Sequence, residues 1–175
     1  MKKILVLLII AFLALQAPAF AQDLKVAVIN TAQVIATSLA GKHGEQQVQA
    51  KIAPIRQEFE KMQNEFKSVV ESYKKQQAAL SVENRQMKEI EIKRRQNELQ
   101  EMAGAYRQAD QAARKELLPP VHRFLEKAAS EYLESQKYNL VIDQTRGALA
   151  YYDRAFDVSE AVVKYCDEQW KAKGN

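Results

Sequence analysis

Between Val48 and Leu80 apolar side chains recur at alternating steps of three and four residues. They are Val48, Ile52, Ile55, Phe59, Met62, Phe66, Val69, Tyr73 and Leu80, with only Gln76 out of pattern. A repeat averaging about 3.5 residues keeps one narrow apolar stripe on a single face of a long helix. The intervening residues are mostly Glu, Lys, Gln, Ser and Arg. A helix lying on a compact core needs a wider stripe, so this one is expected to project from the core and pair with one neighbour. Such an arm suits holding or spanning something and is a poor place to assemble catalytic groups.

A second helix is expected from about Arg85, after a turn at Ser81-Val82-Glu83-Asn84. Its seam runs through Ile92, Leu99, Met102, Tyr106, Ala109, Ala113, Leu117, Val121, Phe124, Ala128 and Tyr132, less regularly than the first. Small residues around Ala103, Gly104, Ala105, Ala109, Ala112 and Ala113 permit close helix approach. Two such helices joined by a short turn form an antiparallel hairpin. Its expected bounds are residues 48–117, with 22–47 and 118–175 forming the body. Pro54 predicts a mild bend, and Pro119-Pro120 a kink or restart where the arm meets the body.

The flanks read differently. Lys25–Asn30 and Tyr138–Asp143 are short, apolar and β-branched, as strands are. Ala148–Tyr152 predicts a third strand, in a hairpin with the second through Gln144–Gly147. Asn30 with Gln33 resembles a capping pair for a short helix, Gly41 and Gly44 mark a break after it, and Asp157 with Glu160 opens the last helix. Three short strands leave pairing edges exposed, which favours joining sheets from several subunits. The expected class is therefore α+β: a small β-containing oligomerisation body with one helical hairpin per subunit. Val26, Val28, Leu140, Ile142, Leu149 and Tyr151 are its candidate body residues.

At the N-terminus, Lys2 and Lys3 precede an apolar run from Ile4 to Leu15 and the small-x-small triplet Ala19-Phe20-Ala21. This is the pattern of a secretory signal peptide cut before Gln22. The apolar run is shorter than the roughly 20 residues that span a bilayer. Cleavage would leave 24 basic and 22 acidic residues, a net charge of only +2, which does not argue for nucleic acid. The lone Cys166 cannot form an internal disulfide, and its place in the series Val158, Val162, Cys166, Trp170 predicts burial.

The sequence carries no recognisable catalytic constellation. His43 and His122 have no ligand-spaced Cys or His neighbours, and neither a glycine-rich phosphate loop nor G-x-S-x-G occurs. Asp143, Asp153 and Asp157 sit where turns and caps require them. No catalytic residue, metal ligand or cofactor site is assigned. The densest basic cluster is Arg85, Lys88, Lys93, Arg94 and Arg95. It reads either as a solvated helix face interleaved with Glu89 and Glu91, or as a contact for anionic groups such as lipid headgroups, lipopolysaccharide phosphates or acidic protein segments.

The order of these parts resembles the Skp/OmpH family of periplasmic chaperones across essentially the whole chain after the leader. Lys25–Asn30, the charged hairpin, Tyr138–Asp143, Ala148–Asp153 and the closing helix carry the likeness, whereas Pro119-Pro120 and Cys166 depart from it. The resemblance implies a homotrimer with a small central barrel and three helical arms around a cavity. It also implies ATP-independent holding of unfolded outer-membrane β-barrel proteins in the periplasm. The alternative from the rod alone is a structural tether or scaffold of the envelope.

Overall fold

The computed structural model describes residues 24–147 and 149–174. The expected signal peptide, Gln22 and Ala148 lie outside the described residues. In chain order the elements are β1 (Val26–Ile29), α1 (Thr31–Thr37), α2 (Leu39–Gln76), α3 (Val82–Ser135), β2 (Leu140–Asp143) and α4 (Ser159–Ala172).

α2 and α3 form the hairpin. Every residue of the expected seam from Val48 to Leu80 is buried or half-buried, while most of the residues between are exposed. Burial falls off along the rod. Val48, Ile52 and Ala113 make a small core at its root, bordered by Ile55, Tyr106, Leu117 and Leu118. Beyond it α2 has no fully buried residue. From Ile52 to the turn the arm reaches roughly 40 Å at 1.5 Å per residue. The pairing is antiparallel: Phe59 stacks on Tyr106 at 5.7 Å, and further out Tyr73 Oη donates to Glu89 at 2.5 Å.

Several boundaries differ from expectation. Gly41 and Gly44 do not break the chain; both lie inside α2. The break is Ser38, whose N–H donates to the Val34 carbonyl at the end of α1 while its Oγ accepts from Gly41 N at the start of α2. One residue closes one helix and caps the next. The glycines serve close approach instead. A Cβ at Gly41 would collide with the Ile35 carbonyl, and one at Gly44 would meet Val121 at 3.0 Å.

The hairpin turn also falls earlier than expected. A single 3₁₀ turn spans Gln77–Ala79, Leu80 is extended, and Ser81 Oγ caps α3 by accepting from Asn84 N at 3.3 Å. Arg85 ties the turn down by donating to the Gln77 carbonyl at 3.1 Å. With no Gly or Pro in the turn, only the serine cap marked its end. α2 continues through Pro54, and α3 runs through Pro119-Pro120 without restarting. Each proline removes a hydrogen bond. The helix survives because Ala113 on one side and Val121 and Leu125 on the other are buried and fix both halves.

β1 and β2 pair in parallel, Val26 opposite Leu140 and Ile29 opposite Asp143, with the entire hairpin as the crossover between them. The third strand is not formed. Residues 149–153 have no regular structure, and β2 ends in a turn in which Gly147 N donates to the Asp143 carbonyl. A single bridge sets Asp157 beside Val28 on the other side of β1, while the outer edge of β2, where the hairpin was expected, carries no strand among the described residues. The main core lies between this sheet, the lower half of α3 and α4, around Ala27, Ile29, Val34, Val121, Leu125, Ala128, Val162 and Cys166. Cys166 is fully buried, as its helical spacing predicts.

Candidate functional site

Two surfaces stand out once the core is accounted for: the distal arm, and the outer edge of the sheet. The arm is anchored first. Arg114 on α3 forks onto Glu45 of α2 through both terminal nitrogens at 2.8 Å, and its Nε donates to Asp110 at 3.0 Å. Lys51 and Glu116 form a second pair beside it. A planar guanidinium matching a carboxylate fixes the register of the helices as well as their separation. Arg114 hydrogen bonds, then Gln49, hold the Glu45 carboxyl below its usual range. Asp110 and Arg114 at i,i+4 were visible in the sequence, but Glu45 lies 69 residues from Arg114 and nothing local announced it.

At the far end the basic cluster proves partly engaged. Lys88 pairs with Glu91 at 2.9 Å, Arg95 with the same Glu91 at 3.2 Å, and Arg94 with Glu98 at 2.6 Å. Arg85 holds the turn, and Lys93 is exposed beside them. The interleaved glutamates therefore do what helix spacing predicts. Charge is nonetheless uneven. Lys74 to Arg95 carries seven basic and three acidic residues, whereas the other described residues hold 17 basic and 18 acidic.

The candidate body residues divide. Val28 is buried in the chain's own core, and Val26, Ile142 and Leu149 are half-buried. Leu140 is 45% exposed and Tyr151 84% exposed. Leu24 and Phe156, which strand patterning did not single out, add exposed apolar surface in the same body. Their signal was weak because neither belongs to an alternating apolar run: Leu24 stands between Asp23 and Lys25, and Phe156 follows Asp153-Arg154-Ala155 and precedes Asp157. Asp143 accepts from Thr31 Oγ1 at 2.8 Å and Thr145 N at 2.9 Å. Burial works to raise its pKa, but hydrogen bonds from Thr145 and Thr31 outweigh it and hold the carboxyl low. Asp153 and Asp157 accept from Ala155 N and Ser159 N, both at 2.9 Å. The three aspartates thus act in turns and caps, the last one without Glu160. His43 lies against Trp170, whereas His122 borders a groove between α1 and α3. Among the described residues no three His, Cys, Asp or Glu side chains are grouped to hold a metal.

This combination of parallel strands, long hairpin and closing helix has counterparts. Residues 25–165 match the model of the family described as Outer membrane protein (OmpH-like). The chain belongs to the OmpH-like family. Within it, the chain is similar to the Skp-like protein of Pseudomonas aeruginosa, 21% identical over 94% of this chain and 96% of that one. It also superposes on the crystal structure of a proposed OmpH-like outer membrane chaperone from Caulobacter crescentus. That TM-score is 0.52 at 16% identity, covering 82% of this chain and 84% of the other. So low an identity speaks for the fold, and the OmpH-like architecture is the one described above: mostly helical, with two strands and a long hairpin.

Proposed function

We propose that this chain is an ATP-independent holding chaperone of the periplasm, binding unfolded outer-membrane β-barrel proteins and keeping them from aggregating. One observation carries the reading: a slender hairpin stands clear of its body for roughly 40 Å with its apolar stripe spent on its own partner helix. Family membership supports a chaperone role. An unfolded outer-membrane strand alternates apolar and polar residues, so in water it exposes aggregation-prone surface. Arms that enclose it through scattered weak contacts need neither a client-specific pocket nor a nucleotide.

The chain acts as a homotrimer in this proposal. The exposed Leu140 and Tyr151 meet neighbouring copies, residues 149–153 find on another subunit the strand partner they lack within their own, and residues 48–117 form the arm. The leader ending at Ala21 exports it. The basic cluster from Arg85 to Arg95 meets anionic lipid or lipopolysaccharide.

The deciding experiment is turbidity of a urea-diluted outer-membrane protein with and without the purified chain, paired with its mass in solution. Suppressed turbidity and a trimeric mass are expected. Undiminished turbidity selects the structural tether instead, and a monomeric mass removes the cage.

A further inference from the structure

Beyond the initiating Met1 the chain carries three methionines, Met62, Met87 and Met102. Two of them come together midway along the arm. Phe59 stacks on Tyr106. One turn farther out stand Met62, three residues past Phe59, and Met102, four before Tyr106. In an antiparallel pair that register sets both thioethers at one level of the seam, and both residues are half-buried. Met87 differs, lying 66% exposed near the start of α3.

Apolar packing alone holds the stretch these two occupy. Among the described residues, the side-chain bonds that join α2 to α3 are Glu45–Arg114 and Lys51–Glu116 at the root and Tyr73–Glu89 farther out. Between them Met62, Phe66, Val69, Ile92, Leu99 and Met102 line the seam, none fully buried. Those side chains offer no hydrogen-bond donor. A thioether suits such a seam, being soft and apolar. It is also open to two-electron oxidation, which converts it into a polar, chiral sulfoxide. With hypochlorous acid the sulfur lone pair takes the oxygen. An S–O bond forms as the O–Cl bond breaks, chloride and a proton leave, and the electrons lost by sulfur reduce chlorine. The new oxygen is an acceptor without a partner among its neighbours, so it destabilises the closed seam or draws water into it.

We propose that Met62 and Met102 are a paired oxidation site through which hypochlorous acid opens the outer part of the arm. Opening uncovers Phe66, Val69 and Leu99, apolar surface that the hairpin otherwise spends on itself. On the holding reading above, on which this consequence rests, the oxidised chain holds unfolded polypeptide at lower concentration. Met87 takes up oxygen without effect, because its side chain already stands in water.

The test is amide hydrogen exchange of the chain from Gln22 to Asn175 before and after a dose of hypochlorous acid, with peptide masses locating the added oxygen. Sulfoxide at Met62 and Met102 should speed exchange in α2 beyond Met62 and in α3 before Met102 by about tenfold or more. Exchange in the body should not change, and less chain should be needed to suppress turbidity. Methionine sulfoxide reductases for both epimers should restore slow exchange. Met62→Leu with Met102→Leu should stay slow after the same dose, although Met87 is oxidised. Met62→Gln with Met102→Gln should exchange fast without oxidant, and serves alone should the leucine variant misfold. Unchanged exchange in a chain oxidised at both sites overturns the proposal, as does a leucine variant that opens like wild type. Thioethers at Met62 and Met102 that survive a dose oxidising Met87 overturn it too. Faster exchange with suppression present but no stronger refutes the gain in holding. Faster exchange in a chain that suppresses turbidity in neither state sinks the holding reading and leaves the oxidation site standing.

Discussion

Cys166 shows how completely packing can silence a reactive group. Its Sγ lies 4.0 Å from the Leu125 carbonyl within the main core, and burial, then the nearby Asp167, pushes the thiol up to about 11. The nucleophile in thiol chemistry is the thiolate, which at neutral pH is scarce here and shielded. A thiol-reactive dye should therefore label the native chain negligibly and label it fully in denaturant. The Arg114 fork makes the opposite case, a partly exposed group with a structural job. Glu45 has its pKa depressed, so its contribution is complete above its ordinary value of 4.5 and lost as pH falls through the lower folded value. Stability from this contact should hold from neutrality to about pH 4.5 and weaken only below it. Arg114→Ala should cost about 1 kcal/mol near neutral pH, discounted for solvent screening. It should also remove the Glu45 part of the acid loss. Urea denaturation of both chains across that range measures it.

The helices put identical residues to unequal use, and the glycines expose the difference. Gly41 is pressed against the backbone of the α1–α2 corner, whereas a Cβ at Gly104 in α3 meets nothing within 4 Å. Gly104→Ala should thus stabilise the chain by about 0.5–1 kcal/mol through helix propensity alone. Gly41→Ala gains the same propensity but forces the corner apart, for a net loss on the order of 2–3 kcal/mol. Thermal melts followed at the helical band would show opposite shifts, and melts shifting the same way would contradict this account of the corner. The expectation of close approach through the small residues near Gly104 finds no support at that glycine. The tightest approach lies nearer the body, where Gly44 meets Val121 and Leu118.

At the scale of the molecule, a two-stranded sheet with an exposed tyrosine beside it is a poor stopping point for an independent subunit. Charges placed at Leu140 and Tyr151 separate assembly from folding, because both side chains are already exposed in one chain. Leu140→Asp with Tyr151→Asp should leave helicity intact and reduce the mass in solution to that of a single chain, as light scattering after gel filtration would show. Val28→Asp also abolishes assembly in our reading, but by opening the subunit's own core, since Val28 is only 2% exposed. A folded double variant that keeps its oligomeric mass would remove Leu140 and Tyr151 from the interface. If, as we propose, client contact is spread along the inner faces of the arms, substituting any single arm residue should barely change suppression of turbidity. One arm substitution that eliminates suppression would refute that distribution.

Local periodicity determined the arm. A 3.5-residue repeat is a property of consecutive residues, and each seam position from Val48 to Leu80 is buried or half-buried in the folded chain. The first two strands, the Asn30 cap on Gln33 and the burial of Cys166 were legible for the same reason. Tertiary structure alone decided what depends on distant partners. Ser38 became the helix break because one side chain could cap α2 while its backbone closed α1. Residues 149–153 have strand composition but no regular structure, because β2 ends at Asp143 in a tight turn and the segment does not return alongside it. The Glu45–Arg114 fork joins positions 69 residues apart, and Pro119-Pro120 stays helical because packing on both sides outweighs the lost hydrogen bonds. Composition specifies what a segment can form; which edge, cap or counter-charge is within reach is settled only when the whole chain has closed.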